Sequence, residues 1–578
     1  MRTLCLSLIL GLLTVSLAFA NSRYYLDPTS RFHPVFGQQG MVVSQEAIAS
    51  KVGVDILAAG GNAVDAAVAT GFALAVTLPR AGNIGGGGFM LVYLAEEDKT
   101  IAIDYREMAP AAAYMDMFLD AEGDVDNAKA RFSAQSSGVP GTVAGLVYAQ
   151  QKYGQLPLSQ VLKPAIGLAR HGLTVSPDLS DSLRSRYSRL KKHSTTKGYF
   201  YKADGGFYLP GDQFLQPDLG ATLARIAAYG ADGFYKGKTA QLIVEQMQRS
   251  GGLISYEDLV NYKVIERQPV CGSYRQVSLC AMPPPSSGGV HLVQMLNTLE
   301  NWQLSDYPHN SAMHLHLMIE TMRQAYADRS LYLGDPDFVT VPQKELTDKK
   351  YASKLSAQIN LKSARSSADI SPSLDIMNTN QQQESEETTH FSVWDKAGNV
   401  VSNTYTLNFS YGNGIAVAGA GFLLNNEMDD FSSKAGSLNG YGLVGGAANA
   451  IEAMKRPLSS MTPTIVFDSN GKPILATGSP GGSTIITIVL QMIVNMVDYG
   501  MGVAEATAAP RVHHQWLPDL VYYESGISSD SLRVLEKMGH KINKEASVIG
   551  ATQSISKNNG RLSGAADTRR HGAAAIAE

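Results

Sequence analysis

The sequence predicts an α+β fold in which helices pack in layers on hairpin-paired strands. Residues 48–78 are rich in alanine and predict two helices, and residues from about 142 to 240 predict a mostly helical region. Short alternating apolar runs joined by turn residues flank these regions and are typical of strands in hairpins. No repeat of solenoid length is present, so we do not expect a repeat architecture.

The individual elements follow from local signals along the chain. The two helices within 48–78 are separated by Gly60, Gly61 and Asn62, a helix stop followed by a new cap. Further elements are a strand at 89–94 with a partner at 101–105, helices at 291–299 and 311–329, a strand at 464–467, a helix from 484, and a strand pair at 553–566.

The bulk composition excludes some classes of function. The 578-residue chain is 44% hydrophobic and 17% charged, which allows one large core or several smaller ones. The net charge of -4 and the pI near 6.3 show no basic excess. Nucleic-acid binding and strong attraction to anionic membranes are therefore disfavoured.

The N-terminus, residues 1–20, has the pattern of a secretory signal peptide. Arg2 is followed by an apolar run at 4–17 and by the small-x-small sequence at 18–20, so the mature chain is expected to start near Asn21. The run is short for a membrane span, and a retained membrane anchor is the alternative.

Signal removal would leave two cysteines, Cys271 and Cys280, on either side of a predicted hairpin tip at 272–275. An oxidising compartment would permit a disulfide across this hairpin. Two free thiols are the alternative, and the absence of an adjacent histidine disfavours zinc.

A change of pattern at Thr388 gives the strongest functional signal. The tract from about 363 to 387 is polar and predicts a mobile linker. Strand alternation then begins at 388–393, a turn follows at 396–399, and a return strand is expected at 400–407. If the bond before Thr388 is cut, its hydroxyl becomes a nucleophile with its own α-amine as base. The alternative is an ordinary strand entry after a linker.

Other motifs are weaker. The glycines at 85–88 precede a strand, so a close backbone approach is favoured over phosphate binding, and the incomplete P-loop at 237–239 does not predict a nucleotide site. The sequence at 479–483 precedes a helix, where its amides would either face an oxyanion or leave Ser483 as a simple helix cap. The acceptors at 425–430 suit an ammonium group or form a solvated loop.

Several segments together resemble the γ-glutamyltranspeptidase family of N-terminal-nucleophile hydrolases. They are DYREMAP at 104–110, MPPPSSGG at 282–289, TTHFS at 388–392, TYTLN at 404–408, LLNNEMDD at 423–430, RPLSSM at 456–461 and GSPGG at 478–482. The resemblance implies a four-layer αββα sandwich. It also implies self-cleavage between Glu387 and Thr388 into a large subunit, 21–387, and a small subunit, 388–578, that stay together as one αββα heterodimer.

The resemblance also implies a role for each site residue. Thr388 would be the nucleophile, Thr406 would orient it, and the Gly481 and Gly482 amides would form the oxyanion hole. Tyr441 would belong to a lid loop at 436–446. The α-carboxylate of the substrate would be held by Arg106, Ser459 and Ser460, and its α-ammonium by Asn408, Glu427 and Asp430.

This arrangement would place Arg106 on one side of the substrate's α-carbon and Asp430 on the other. The guanidinium fork suits a carboxylate because it donates two parallel hydrogen bonds. Position 427 is glutamate where some bacterial members have glutamine, which we expect to tune affinity without loss of activity.

The implied activity is transfer of the γ-glutamyl group of glutathione or its conjugates to water, amino acids or dipeptides through an acyl-threonine, with no metal or other cofactor. The expected location is the periplasm, without nucleic-acid partners or a stable membrane span. One alternative is a glutaryl-cephalosporin-type acylase, against which the acidic cluster at Glu427 and Asp430 argues. The other is an uncleaved γ-glutamyl-binding protein, which would remain one band on a gel.

Overall fold

Two seven-stranded antiparallel sheets organise the computed structural model, which describes residues 33–370 and 386–578. The strands, in chain order, are β1 (Val35–Gly37), β2 (Met41–Ser44), β3 (Gly87–Leu94), β4 (Lys99–Tyr105), β5 (Leu173–Thr174), β6 (Gln213–Phe214), β7 (Ile265–Arg267), β8 (Val270–Tyr274), β9 (Val277–Ala281), β10 (Glu386–Trp394), β11 (Val400–Phe409), β12 (Thr464–Phe467), β13 (Pro473–Thr477), β14 (Val512–His513), β15 (Tyr522–Tyr523), β16 (Gln553–Asn558), β17 (Arg561–Ala566) and β18 (Ala574–Ala577). One sheet has the order β1-β17-β16-β13-β12-β9-β8, and the other has the order β18-β2-β10-β11-β3-β4-β7. The pairs β5-β6 and β14-β15 form small separate ribbons.

Helices are distributed along the whole of the described chain. The α-helices are Ala47–Ala58, Ala63–Thr77, Asn127–Phe132, Thr142–Tyr153, Leu158–His171, Pro177–Ser185, Tyr187–Leu190, Ser194–Phe200, Pro217–Tyr229, Asp232–Tyr235, Gly237–Ser250, Tyr256–Asn261, Gly288–Leu299, Ala312–Tyr332, Gln343–Leu346, Lys349–Ala357, Ile485–Val497, Val503–Ala508 and Ser529–Lys537. Short 3-10 turns include Ser367–Asp369, Glu427–Asp430 and Gly482–Thr484.

The two sheets stack face to face with helices on both outer faces. The helices Ala47–Ala58 and Ala63–Thr77 pack on β2, β10 and β11, and the helix Gly288–Leu299 packs on β8 and β9. Between the sheets, β10 contacts β16, and β2 contacts β17. This is the predicted four-layer αββα sandwich, and the fold prediction is confirmed.

The predicted helix break at Gly60 to Asn62 is present. The first helix ends at Ala58, and Gly60 takes a φ of +91°, which glycine adopts without strain. Asn62 then caps the second helix by accepting from the Val64 and Asp65 amides, while the Asp65 carboxylate accepts from the Asn62 amide.

The predicted hairpin at Thr388 forms the centre of one sheet, where β10 lies between β2 and β11. Its side chains alternate between two buried layers, as the strand period requires. Phe391 and Val393 pack in the core below the helices, whereas Trp394 packs in the core between the two sheets. Thr388 and Trp394 are six residues apart in the same strand, so their side chains lie on the same face. Thr388 therefore points into the layer between the sheets.

The polar tract predicted to be mobile, about 363–387, is ordered at both of its described ends. Arg365 pairs with Glu320 at 2.8 Å, and the Ser367 carbonyl accepts from the Trp516 indole nitrogen at 2.8 Å. At the other end, the Glu387 side chain is buried between two arginines. These ion pairs and hydrogen bonds compensate for the low apolar content, so the prediction was wrong for 363–370 and for Glu387. Residues 371–385 lie outside the described part of the chain.

Cys271 and Cys280 form a disulfide, which settles the alternative left open by the sequence. They are directly opposed in the β8-β9 register, so the hairpin itself brings the two sulfurs together.

Within residues 33–370 and 386–578, the helices are too short or too polar to cross a membrane. The predicted signal peptide lies outside this part of the chain.

Candidate active site

A small, partly open cavity lies beside Thr388 and collects almost every predicted site residue. Its wall contains ten of them, namely Arg106, Thr388, Thr406, Asn408, Glu427, Asp430, Tyr441, Ser459, Ser460 and Gly482. Arg329, Leu443, Met461, Ser483 and Ile485 complete the wall. Residues that are far apart in sequence thus converge on one polar pocket.

Thr388 and Thr406 form a relay of hydroxyls that ends on the bond before Thr388. They are direct cross-strand partners in β10 and β11, and their Oγ1 atoms are 3.3 Å apart. Thr406 in turn donates to the Glu387 carbonyl oxygen at 3.1 Å. The Thr406 hydroxyl therefore contacts both the predicted nucleophile and the carbonyl that it would attack.

A bulge in β11 creates this geometry. Glu386 pairs with Phe409 and Thr388 pairs with Thr406, so Leu407 and Asn408 together oppose the single residue Glu387. Asn408 takes a φ of +74°, a conformation that asparagine tolerates better than most residues. Its amide donates to Thr406 Oγ1 at 2.9 Å. The bulge thus fixes the Thr406 hydroxyl from behind.

The glycine loop at 85–88 supports the site from the opposite side. A Cβ atom on Gly86 would lie 1.8 Å from the Thr406 carbonyl oxygen, and one on Gly85 would lie 1.9 Å from the Leu423 carbonyl oxygen. Only glycine permits this contact, so the predicted close backbone approach is confirmed.

Arg106 occupies the acidic wall of the pocket. It follows β4 directly, and its Nη1 donates to the Glu427 carboxylate while its Nη2 donates to Asp430 at 2.5 Å. Its Nε donates to the Pro457 carbonyl at 3.1 Å. Opposite charges in this water-poor wall thus pair directly with each other. The placement of Arg106 and Asp430 on either side of a substrate stays a prediction.

A third carboxyl group, Glu107, makes this wall electrostatically unusual. It lies 3.6 Å from Arg106, is fully buried, and neither of its oxygens has a hydrogen-bond partner in the described chain. Burial raises the pKa of Glu107 to about 7 against the opposing effect of Arg106. Burial also raises the pKa of Glu427 well above its usual range. One guanidinium therefore faces three carboxyl groups, and burial disfavours the charged forms of Glu107 and Glu427.

The two serines present different faces to the cavity. Ser459 Oγ accepts from the Met461 amide at 3.1 Å, whereas the buried Ser460 hydroxyl has no partner among the described residues. The segment 456–461, which carries both serines, is attached to β4 because Arg456 and the Arg106 backbone amide both bind Asp104. Ser460 is thus a free donor at a fixed position beside Arg106.

The predicted oxyanion segment is only partly in the cavity wall. Gly482 lines the cavity, and a Cβ atom there would lie 2.7 Å from the Tyr441 ring. Gly481 lies behind it and accepts from the Thr484 amide at 2.9 Å. Ser483 donates to Gln515 and does not cap the following helix, so that alternative was wrong. The oxyanion role of the two amides stays a prediction.

Tyr441 closes the cavity from the predicted lid loop. Its hydroxyl donates to the Asn408 carbonyl at 2.8 Å, and its ring meets Phe409 edge to face. The loop is attached to the acidic segment because the Gly440 amide donates to Asp429 at 2.9 Å. Lid, bulge and acidic segment are thus mechanically connected.

The sequence interpretation missed Arg329 and the structural role of Glu107. Arg329 lies within the helix Ala312–Tyr332, and its Nε donates to Ser287 Oγ at 3.0 Å. No carboxylate of the described residues lies within ion-pair distance of it, and burial lowers its pKa to about 10. A helix with charged residues on a buried face was the only available signal, and it does not identify a pocket.

Comparisons with known proteins identify the family of this chain. A family model described as gamma-glutamyltranspeptidase matches residues 49–577. The glutathione hydrolase proenzyme of Escherichia coli (strain K12) is 53% identical over 541 residues, which cover 93% of this chain and 92% of the relative.

Two solved structures are also similar. The cephalosporin acylase from Bacillus halodurans has a TM-score of 0.84 at 26% identity and covers 97% of this chain and 99% of its own. Helicobacter pylori gamma-glutamyltranspeptidase has a TM-score of 0.55 at 45% identity and covers 58% of this chain and 96% of that one. Since the family model matches most of the chain and a relative named glutathione hydrolase proenzyme is 53% identical over 93% of it, the chain belongs to the γ-glutamyltranspeptidase family.

Proposed function

We propose that this chain is a self-cleaving enzyme that transfers γ-glutamyl groups from glutathione and related compounds to water, amino acids or dipeptides. The observation that carries the proposal is the hydroxyl relay from Thr388 through Thr406 to the Glu387 carbonyl, set in a pocket with both acidic and basic groups. The γ-glutamyltransferase and glutathione hydrolase activity agrees with the relatives named glutathione hydrolase proenzyme.

Maturation would use the relay directly. Thr388 Oγ attacks the carbonyl carbon of Glu387, the peptide nitrogen gains the hydroxyl proton, and the C–N bond breaks to leave an ester. Water then hydrolyses this ester, giving a Glu387 carboxylate and a small chain that begins with Thr388. The hydrogen bond from Thr406 to the Glu387 oxygen stabilises charge on that oxygen during the attack.

Turnover would use the same hydroxyl with a new base. The free α-amine of Thr388 takes the proton as Oγ attacks the γ-carbonyl of the substrate, and the amine leaving group departs with that proton. The acyl-threonine is then transferred to water or to an amine acceptor. Gly482, at the cavity wall, belongs to the segment that we assign to the oxyanion.

The pocket has a complementary group for each end of a free amino acid. Ser460 and the guanidinium of Arg106 are donors for the α-carboxylate, while Glu427, Asp430 and Asn408 offer acceptors for the α-ammonium. Arg106 would keep part of its pairing with the acidic residues as the substrate binds, since it has several donor groups.

A second candidate activity is removal of glutaryl side chains from cephalosporins, because one structural neighbour is a cephalosporin acylase. A glutaryl group lacks the α-ammonium. The acidic wall of Glu427, Asp430 and Glu107 would then have no cation to bind besides Arg106. The γ-glutamyl substrate therefore fits the charges better.

We also propose export to the periplasm, which rests on the signal-peptide pattern at 1–20. Cell fractionation followed by N-terminal sequencing of the periplasmic protein would test the export and the expected start near Asn21.

The decisive experiment compares Thr388 and Thr406 variants. Thr388→Ala should block cleavage and turnover, Thr388→Ser should retain part of both, and Thr406→Ala should mature slowly and turn over poorly. Precursor loss is followed by intact mass, and turnover by release of the amine from a γ-glutamyl anilide. A Thr388→Ala protein that matures and turns over at the parental rate would overturn the proposal.

A further inference from the structure

A pair of arginines binds the side chain of the residue before the proposed cleavage point. Arg80 Nε lies 3.2 Å from Glu387 Oε2, and Arg570 Nη1 lies 3.3 Å from Glu387 Oε1. Arg80 and Glu387 are 2% and 5% exposed, so water does not screen their charges. We call these three residues the Glu387 clamp.

The clamp is independent of the substrate pocket. Neither arginine lines the cavity beside Thr388. Arg80 also pairs with Asp178, and its carbonyl accepts from the Tyr411 amide at 2.9 Å, so its backbone is fixed. Arg80 belongs to the proposed large subunit and Arg570 to the small one, which means that the clamp joins both future chains.

The position of Glu387 in the sheet explains why a clamp is needed. Glu387 has no partner in β11, because the bulge at Leu407 and Asn408 opposes it. Pairing with β11 is therefore irregular at the peptide that would be cut. Glu387 is held by the hydrogen bond from Thr406 to its carbonyl and by the two ion pairs of its side chain.

The charges favour an ionised Glu387. Burial alone would raise the pKa of this carboxyl, but the positive charges of Arg570, Arg80 and Arg186 lower it below its usual value. The side chain is thus a permanent anion at working pH, bound from two directions.

We propose that Arg80 and Arg570 are positioning residues for self-cleavage, which hold the Glu387 carboxylate so that its carbonyl stays on Thr406 and within reach of Thr388. The inference rests on the proposed cleavage before Thr388. Orienting the Glu387 carbonyl lowers the barrier of this intramolecular attack. Arg80 and Arg570 can do this through the side chain without touching the reacting atoms.

The test measures the rate of precursor loss in Glu387→Gln, Arg80→Gln and the double variant. Each single change removes charge-assisted hydrogen bonds, and we expect cleavage to slow by about tenfold or more. Because the residues act through one contact, the double variant should be no slower than the slower single one. If cleavage of the double variant slows by the product of the two single factors, the result contradicts the clamp.

Arg275→Gln is the matched control, because Arg275 pairs with the buried Asp498 at 3.1 Å far along the chain from the cleavage point. It should mature at the parental rate. Thermal melting of each variant in a Thr388→Ala background tests folding of the uncut precursor. Slower cleavage of Glu387→Gln combined with a lower melting temperature than Arg275→Gln would overturn the proposal in favour of a folding role.

Glu387→Gln maturation at the parental rate would also overturn it. N-terminal sequencing of the parental small chain separates the two claims. A parent that is cut before Thr388 together with a fast Glu387→Gln variant removes only the clamp, whereas a parent that stays uncut removes the proposed function.

Discussion

At Arg106, one guanidinium satisfies acceptors from Glu427, Asp430 and the Pro457 carbonyl. A lysine has the same charge but no planar fork, so it cannot bind these groups at the same time. We expect Arg106→Lys to lower kcat/KM by roughly 10- to 100-fold through lost charge-assisted contacts, mainly in KM. Maturation should continue, since Arg106 does not contact Glu387 or Thr388.

Steady-state kinetics with a γ-glutamyl anilide measure this effect. Arg533→Lys is the control, because Arg533 forms an ion pair whose side chains are 65% and 80% exposed. If Arg106→Lys has the parental kinetics, the planar guanidinium of Arg106 is not required for substrate binding.

Also at the residue scale, the buried Glu107 makes stability depend on pH. Its folded pKa of about 7 lies above the unfolded value of 4.5, so the folded state holds a proton that the unfolded state releases. This contribution to stability is complete below pH 4.5 and is lost as the pH rises through 7.

Glu107→Gln removes this titration. Relative to the parent, we expect the variant to gain up to about 3 kcal/mol of stability between pH 4.5 and 8. Denaturant unfolding of both proteins in a Thr388→Ala background, at several pH values, measures the difference. Parallel stability profiles would contradict the assignment of a proton to Glu107.

At the scale of elements, the Tyr441 hydroxyl joins the lid loop to the β11 bulge through its hydrogen bond to the Asn408 carbonyl. Tyr441→Phe keeps the ring against Phe409 and Gly482 but loses this bond. One neutral hydrogen bond is worth about 1 kcal/mol, so we expect kcat/KM to fall about fivefold.

Hydrogen exchange of the 436–446 amides should quicken in the same variant, because the loop opens more often. Tyr229→Phe is the control, since Tyr229 is 72% exposed. A Tyr441→Phe protein with the parental exchange and kinetics would show that this hydroxyl bond does not hold the lid closed.

Sequence patterns predicted the elements best where one local rule dominated. Asn62 behind Gly60 and Gly61 marked a helix break correctly, and the alternation after Thr388 marked the hairpin. The short strand β18 was missed, because it is formed by pairing with β2, and partner strands are not visible in local patterns.

In the site, too, the sequence predicted the residues but not how they pair in space. Family motifs predicted the residues of the cavity wall, but they did not predict that Arg106 pairs with Glu427 and Asp430 or that Arg329 joins the wall. The bulge opposite Glu387 was equally hidden, because register depends on three-dimensional pairing. The order of residues 363–370 was missed for a related reason, since Arg365 acquires its partner, Glu320, only in the folded chain.

At the scale of the whole molecule, the sheet that holds Thr388 alternates strands from the two proposed subunits. β10 and β11 lie between β2 and β3, and β18 lies on the other side of β2. The two subunits therefore share one hydrogen-bonded sheet and the cores on both of its faces.

This interleaving gives the proposed cleavage an irreversible character. The precursor can refold as a single chain, because all its strands are covalently joined. Once the chain is cut, the same sheet can be rebuilt only if two separate molecules meet, so refolding acquires a dependence on concentration. The mature protein would then persist through the height of its unfolding barrier, and each molecule would have one opportunity to fold.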